Sequence, residues 1–129
     1  MYKSMVSAAT SMNSTETTKT LIDTITVPQG VKKLVGVGVQ FMGGTAGLTT
    51  LENVGGIIEL ESDDMAPWGG TQQFLTGAVA VVTSGAAFIP PYIHPTDIPC
   101  TPGAHIKVSC TMDLATTINN KCRAQLVFE

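Results

Sequence analysis

The residues best suited to metal chemistry lie in one stretch, where Cys100, His105 and Cys110 follow one another at intervals of five and His94 precedes them. Thiolate and imidazole groups are the usual protein ligands of zinc. However, the spacing matches no common zinc module, and Cys110 lies on the apolar side of an alternating segment, where a thiol behaves as a small hydrophobic group. The pattern therefore predicts no zinc site.

A second candidate is acidic, because five of the ten carboxylates fall between Glu52 and Asp64. Calcium takes oxygen ligands of this kind, but EF-hand spacing is missing. Alternation along the solvated face of a strand explains Glu59, Glu61 and Asp63 without an ion. We predict no metal ligands here, although the sequence leaves open whether the Glu59, Glu61, Asp63 and Asp64 cluster takes up an ion.

Hydrolytic chemistry would need a nucleophile, a base and an orienting acid, and the candidates are Ser84, His94 or His105, and Asp97. Ser84 lies in Thr-Ser-Gly, which is not the G-x-S-x-G turn that exposes a nucleophilic serine. Histidines in a proline-rich loop and a strand are more typical of surface positions. We therefore predict no catalytic residues, no cofactor-binding residues and no enzyme activity.

Carbohydrate binding would need aromatic platforms, because a ring face packs against the apolar face of a sugar. Aromatic residues make up only 5% of the sequence. Trp68 and Tyr92 are the platform candidates beyond the N-terminal segment. A module that binds a carbohydrate or another cell-surface ligand is the alternative function.

The overall charge excludes several partners. Charged residues amount to 13%, about half of what is usual, and the net charge is −3. Nucleic-acid binding depends on clustered Lys and Arg, and only Lys32 and Lys33 are adjacent, so no nucleic-acid partner is expected. Residues 65–96 carry no formal charge, but prolines, glycines and glutamines interrupt them, so no membrane span is expected.

Alternation of apolar and polar residues is the clearest structural signal. It places Ile106, Val108 and Cys110 inward on one strand, and it recurs in the segments Cys122 to Phe128 and Ile57 to Glu61. Period two is typical of a strand with one face in the core and one in solvent. In the strand that begins at Leu21, the same rule places Leu21, Ile25 and Val27 on one face and Ile22, Thr24 and Thr26 on the other.

Two glycines interrupt the strand from Leu34 to Phe41. Val35, Val37, Val39 and Phe41 are expected to share one face, while Gly36 and Gly38 leave the opposite face bare. A partner strand, the other sheet or a neighbouring subunit must approach that face closely. Residues 73–82 are expected to form one further strand, and residues 89–103, with five of the seven prolines, an irregular connection.

Six or seven short strands separated by turns predict an all-β fold of two antiparallel sheets, a β-sandwich, with the eight-stranded jelly roll as its alternative form. Residues 1–20, rich in Ser, Thr and Met, are expected to form a flexible N-terminal arm. Residues 21–129 would then be the sandwich domain.

The chain resembles single-domain β-sandwich or jelly-roll structural proteins of virus particles, including capsid and capsid-decorating subunits. The resemblance lies in the N-terminal arm, the threonine- and glycine-rich strands and the proline-rich loops. The resemblance implies homo-oligomers located in the virion, whose partners are copies of the chain and other shell proteins. Separately, long uncharged tracts suggest burial between subunits, because stable interfaces are depleted in charge. The expected assembly interface consists of Phe41, Met42, Trp68, Phe74, Phe88 and Tyr92.

Overall fold

The structure, a computed structural model, describes residues 2–6, 10–12, 19–42, 52–54, 56–75, 79–81, 92–112 and 120–129. Most of these residues lie in strands. The strands are β1 (Lys3–Val6), β2 (Thr10–Met12), β3 (Thr20–Thr26), β4 (Lys33–Met42), β5 (Glu52–Val54), β6 (Gly56–Glu61), β7 (Thr71–Leu75), β8 (Val79–Val81), β9 (Tyr92–Pro99), β10 (His105–Met112) and β11 (Asn120–Phe128). A six-residue 3₁₀ helix, Asp63–Trp68, precedes β7.

Nine of these strands form two antiparallel sheets. Sheet A has the order β1-β11-β4-β9, with β2 also paired to β11, and sheet B has the order β3-β10-β6-β7. Along the chain, successive sandwich strands change sheet at every connection except those from β1 to β2 and from β6 to β7. The sequence-based prediction of an antiparallel two-sheet β-sandwich is confirmed, and the eight-stranded order is that of a jelly roll.

The core lies between the two sheets, as the alternation predicted. Ile106, Val108 and Cys110 of β10 point inward, and so do Ile58 and Leu60 of β6. Alternate residues of β11 meet them from sheet A. The largest fully buried side chains are Phe128, Leu34, Ile58, Leu60, Met65 and Ile106.

The prediction of an irregular connection over residues 89–103 is wrong, because β9 occupies Tyr92–Pro99. Its prolines weighed against a strand, since proline lacks the N–H donor that a sheet requires. β9 is the last strand of sheet A, however, and an edge strand tolerates proline where a central strand does not. The register also slips beside Pro95, where Gly36 pairs with Pro95 but Leu34 pairs with Ile98.

The single strand expected over residues 73–82 is also corrected. It divides into β7, which begins at Thr71 and belongs to sheet B, and β8, which pairs with β5 in a small separate sheet. The expected six or seven strands were accordingly too few. The apolar composition of residues 73–82 does not indicate where β7 ends and the chain passes to a different sheet.

Irregular strand pairing changes which residues face the core in two strands, β3 and β4. The pairing of β3 with β10 slips between Val108 and Ser109, so Ile22 shares the inner face with Ile25, and Leu21, which was expected there beside Ile25, is exposed. In β4 the pairing slips around Val35, which leaves Val35 only half-buried while Leu34 enters the core. A bulge adds one residue and reverses the side-chain parity beyond it.

The N-terminal segment contributes strands to sheet A. β1 and β2 both pair with β11, and Lys3 lies opposite Phe128. Gln125 reinforces this pairing, because its side-chain amide donates a hydrogen bond to the Ser4 hydroxyl at 2.6 Å. The division between an arm of residues 1–20 and a sandwich of residues 21–129 stays a prediction.

Candidate assembly surface

The sandwich keeps the zinc candidates apart. Cys110 is enclosed in the core, and the buried Cys100 thiol donates to the carbonyl oxygen of Ile98 at 3.5 Å. His105 is exposed at the end of β10, where Nδ1 lies 3.2 Å from the Thr26 hydroxyl. Across the described ranges, no three His, Cys, Asp or Glu side chains are grouped so that they could hold a metal ion.

The Cys100 thiol is poorly suited to nucleophilic chemistry. Burial, together with the nearby negative charge of Asp64, raises its pKa to about 11. A thiol needs the opposite shift to become reactive, since the thiolate is the nucleophile. Asp64 itself is held by Thr101, whose backbone N–H and hydroxyl each donate to its carboxylate at 2.8 Å. This pair of bonds fixes the 3₁₀ helix to the loop after β9.

The acidic window lies partly on the outer surface of sheet B, which we call the charged face. Glu59 forms an ion pair with Lys19 and accepts a hydrogen bond from the Gln73 amide at 3.3 Å. The Lys19 ammonium lies 3.8 Å from Glu61 as well. The hydrogen bond from Lys19 holds the pKa of Glu59 below its ordinary value. Lys107, exposed on β10, adds a further charge to this face.

The outer surface of sheet A differs sharply, and its centre is built on two glycines. Ile93 of β9 lies across Gly36 and Gly38 of β4: a Cβ added at these positions would come within 2.8 Å and 2.5 Å of its side chain. The bare glycine face expected from the sequence is therefore covered by the partner strand. The outer part of Ile93 remains exposed to solvent.

Strand pairing surrounds this centre with uncharged residues. Ser4, Val127, Gly36 and Pro95 stand side by side across β1, β11, β4 and β9, and Gln125, Gly38 and Ile93 form the neighbouring row. These residues define the neutral face: Ser4, Gly36, Gly38, Ile93, Pro95, Gln125 and Val127. Among the side chains that the structure describes, charge appears at the margins of this face, where Lys33 pairs with Asp97 at 3.5 Å and where Arg123 begins the next row.

A shallow groove of about 270 Å³ runs along the edge where β7 and β9 meet. The rings of Phe74 and His94 contact each other there, with centroids 5.7 Å apart, and so close the gap between the sheets. The 3₁₀ helix places Trp68 at the groove, because Ser62 caps its start and Gly69, in the left-handed conformation, ends it. The groove is lined by Trp68, Gln72, Phe74, Pro95, Thr96, Asp97 and Ile98.

The structure brings together two of the six predicted interface residues, Trp68 and Phe74, in this edge groove. Trp68 is exposed, whereas Phe74 packs partly against the core. The side chains of Phe41, Met42 and Tyr92, and the whole of Phe88, lie outside the described part of the chain. The predicted interface therefore stays a prediction. So does the sugar platform, which pairs Trp68 with Tyr92. Ser84, the serine considered as a nucleophile, also falls outside the described residues.

Sequence reasoning missed the neutral face as a surface. Ile93 was assigned to an irregular connection, and Gln125 and Val127 were placed only within an alternating strand. The signal that could have found it is the pair of glycines, because a strand position without a side chain indicates a close neighbour on that face. What the sequence lacked was the order of the strands, which sets β11 and β9 on either side of β4.

No known protein-family model and no curated protein sequence matches the chain. Among solved structures, the chain is similar to part of one from infectious bursal disease virus, Gx strain, with a TM-score of 0.47 and 11% sequence identity. The match covers 99% of this chain and 32% of that one, so this chain spans about a third of its length. Within the described residues, no helix has the length and apolar character needed to cross a membrane.

Proposed function

We propose that this protein is a structural subunit that assembles with copies of itself, and with other shell proteins, into the coat of a virus particle. It acts there as a capsid or capsid-decorating component and catalyses no reaction. The jelly-roll order of its strands is one in which capsid domains are built, although lectins and cupins share it, so the fold alone does not decide between them.

The contrast between the two outer faces carries this proposal. The charged face of sheet B bears Lys19, Glu59, Glu61 and Lys107, as expected of a surface kept in water. The neutral face, at the centre of the outer surface of sheet A, bears no ionisable side chain, and Lys33, Asp97 and Arg123 lie around it. Interface centres are depleted in charge, whereas surfaces that remain in solvent carry it. The neutral face is thus the better suited to burial against another protein molecule.

The test places one charge on the neutral face without changing its shape. In Gln125→Glu, the Ser4 hydroxyl can donate to the new carboxylate, so the pairing of β1 with β11 is retained. We expect the wild-type chain to sediment as a discrete oligomer or particle. Gln125→Glu should assemble at least about tenfold more weakly, because burying an unpaired carboxylate is costly. A monomeric wild-type chain would refute the proposal.

The control is Lys107→Gln on the charged face, which changes the net charge by the same one unit at an exposed position. Both variants change the net charge equally, so a general effect of charge would weaken them alike. The proposal requires that only Gln125→Glu lose assembly, and that both keep the circular dichroism spectrum of the wild-type chain. Equal behaviour of the two variants would remove the neutral face from the argument.

A second candidate function is favoured by the exposed Trp68 beside the edge groove. An indole next to a polar rim is the arrangement that carbohydrate-binding proteins use. Binding to a glycan array that is lost in Trp68→Ala, from a wild-type chain that stays monomeric, would support a ligand-binding module instead.

A further inference from the structure

The sandwich has four edge strands, because the printed order ends with β1 and β9 in sheet A and with β3 and β7 in sheet B. An edge strand presents backbone N–H and C=O groups that lack a partner on one side, and a strand from another molecule can pair with them. Folded proteins usually block such edges with prolines, bulges, charges or a covering element.

Three of the four edges are blocked in one of these ways. β9 carries Pro95 and Pro99, which have no N–H, and its register slips beside Pro95. β3 contains a bulge, and the Asp23 carboxylate accepts a hydrogen bond from the N–H of Thr24 at 2.8 Å. β7 is covered at the edge groove, where aromatic rings of β7 and β9 meet. None of these three strands offers a regular row of backbone groups to a partner.

The fourth edge, β1, carries none of these features. Lys3–Val6 contains no proline and pairs with β11 in an unbroken register. Ser4 and Met5 point to opposite sides of the strand and both are exposed, so solvent reaches the strand from either side. Its one charged side chain is directed back to its own chain, since the Lys3 ammonium donates to the carbonyl oxygen of Gln29 at 2.5 Å. Among the edge strands that the structure describes, β1 is therefore the open one.

We propose that β1 of one copy pairs antiparallel with β1 of a second copy, so that sheet A continues from one molecule into the other across a twofold axis. This inference rests on the proposed function and names one contact of the assembly. An open edge is recognised by another extended backbone, because its donors and acceptors alternate along the strand. The other three edges are blocked, so the strand of this chain that can match β1 is a second β1. A strand paired antiparallel with itself gives a closed, symmetric contact.

The two faces of sheet A fix the register of this contact. Ser4 lies opposite Val127 and so belongs to the neutral face, whereas Lys3 lies opposite the buried Phe128 and so points to the inner side. Residues directly opposite one another in an antiparallel pair share a face. Outward residues must therefore meet outward residues across the contact. Of the registers that satisfy this condition, the one centred on Ser4 pairs all of residues 2–6, and it places Ser4 opposite Ser4 of the second copy.

The residue on the axis suits this position. It faces its own copy, so an ionisable side chain there would meet a like charge, and Ser4 has none. Its neighbours on the same face, Gln125 and Val127, are uncharged as well. Because the axis is perpendicular to the sheet, the neutral faces of both copies lie on the same side and form one larger uncharged surface. Pairing through β1 thus extends the neutral face and leaves it free for a separate contact.

Disulfide formation tests the contact and its register. In Ser4→Cys the two new thiols would lie on strand positions whose Cα atoms are about 4.5–5.5 Å apart, a separation that a disulfide spans. Tyr2→Cys is the matched control on the same side of the strand. Its copies would be four residues apart along the paired strands, about 13 Å, which a disulfide does not span. The wild-type chain gives the background from the native cysteines, of which Cys100 and Cys110 are buried.

Under mild oxidation we expect Ser4→Cys to form a covalent dimer and Tyr2→Cys to stay at the wild-type background. Random collision would give the opposite order, because Tyr2 is 68% exposed at the more accessible end of the segment. If the wild-type chain assembles but Ser4→Cys forms no more dimer than Tyr2→Cys, the inference is wrong and the proposed function stands. A wild-type chain that stays monomeric in sedimentation would refute both proposals together.

Charges placed on the axis give a second measure that needs no cysteine. Ser4→Asp and Ser4→Lys should each assemble more weakly alone, because like charges then face each other across the strand pair. An equimolar mixture should assemble about two- to fivefold more strongly than either variant alone, as opposite charges meet there. Thr24→Asp and Thr24→Lys, at an exposed position on sheet B, are the matched controls, and mixing them should bring no gain. A Ser4 mixture that assembles no better than its components contradicts the inference.

Discussion

Replacing the two glycines of β4 one at a time tests whether Ile93 covers them as the geometry indicates. A Cβ at position 36 would lie 2.8 Å from Cγ2 of Ile93, and a Cβ at position 38 would lie 2.5 Å from Cδ1. The two atoms differ in freedom. Cδ1 ends the side chain and moves by rotation about χ2, whereas Cγ2 is attached directly to the branched Cβ and moves only with χ1 or the backbone. Gly38→Ala, which has the shorter distance to Ile93, should therefore destabilise the fold less than Gly36→Ala.

The expected magnitudes follow from this difference. For Gly36→Ala, overpacking costs about 1–3 kcal/mol, offset by about 0.4–1 kcal/mol from the less flexible unfolded chain, so we expect a net loss of about 1–2 kcal/mol. For Gly38→Ala, an off-rotamer χ2 costs about 0.5–1.5 kcal/mol, and the same offset leaves the free energy of unfolding within about 1 kcal/mol of wild type.

Ile93→Val sharpens the test, because it removes Cδ1 and keeps Cγ2. It should rescue Gly38→Ala but not Gly36→Ala, whereas Ile93→Ala should rescue both. Urea unfolding followed by circular dichroism, at one protein concentration, gives the free energies for the two double-mutant cycles. Full stability of Gly36→Ala, or equal rescue of both variants by Ile93→Val, would show that Ile93 does not lie across β4 as described.

Three further predictions concern groups outside the neutral face. Asp64→Ala should lose about 1–3 kcal/mol of unfolding free energy in urea titrations, because the Thr101 N–H and hydroxyl lose a charged acceptor; an unchanged midpoint would contradict this. Cys100 should resist iodoacetamide at pH 8 in the folded chain, and rapid labelling without unfolding would argue against its burial. Because its pKa is raised in the folded chain, the unfolded chain loses the thiol proton first, so the free energy of unfolding should fall as pH rises from about 9 towards about 11. The lowered pKa of Glu59 means that its pair with Lys19 stabilises the fold above the ordinary pKa and is lost as pH falls through the lowered one. Lys19→Gln should therefore raise the midpoint pH of acid unfolding, an effect that should shrink in high salt.

The predictable part of this fold was the part governed by alternation alone. β10 and β6 were predicted with their correct inward residues, because in a strand without a bulge only one set of alternate residues is apolar and can face the core. Leu21 was misplaced and Val35 is only half-buried, since both strands slip in register, and a slip depends on the partner strand. β9 was missed because the same prolines that exclude a central strand are acceptable at an edge.

The candidate surfaces were harder to predict for a different reason. The edge groove is lined both by Trp68, at the end of the 3₁₀ helix, and by Ile98 of sheet A, thirty residues further along the chain. The neutral face joins Ser4 to Val127, almost the full length of the chain apart. Neither juxtaposition leaves a local pattern. Composition did indicate that uncharged surface exists, and only the strand order shows which residues share it.

The uncharged tract around β4 has two distinct uses in this fold, and separating them strengthens the assembly proposal. Leu34, Val37 and Val39 are buried in the core of a single chain, so their lack of charge needs no partner molecule. The alternate positions face outward, where a strand normally carries polar or charged groups. Here they are Gly36 and Gly38, which are covered by the side chain of Ile93 and flanked by Gln125 and Val127. The close approach of Ile93 within one chain already requires Gly36 and Gly38, but folding places no such demand on Gln125 and Val127, since the charged face of sheet B carries charge at corresponding outward positions. Interface centres are depleted in charge, and for that reason Gln125→Glu, rather than any core substitution, tests the proposal.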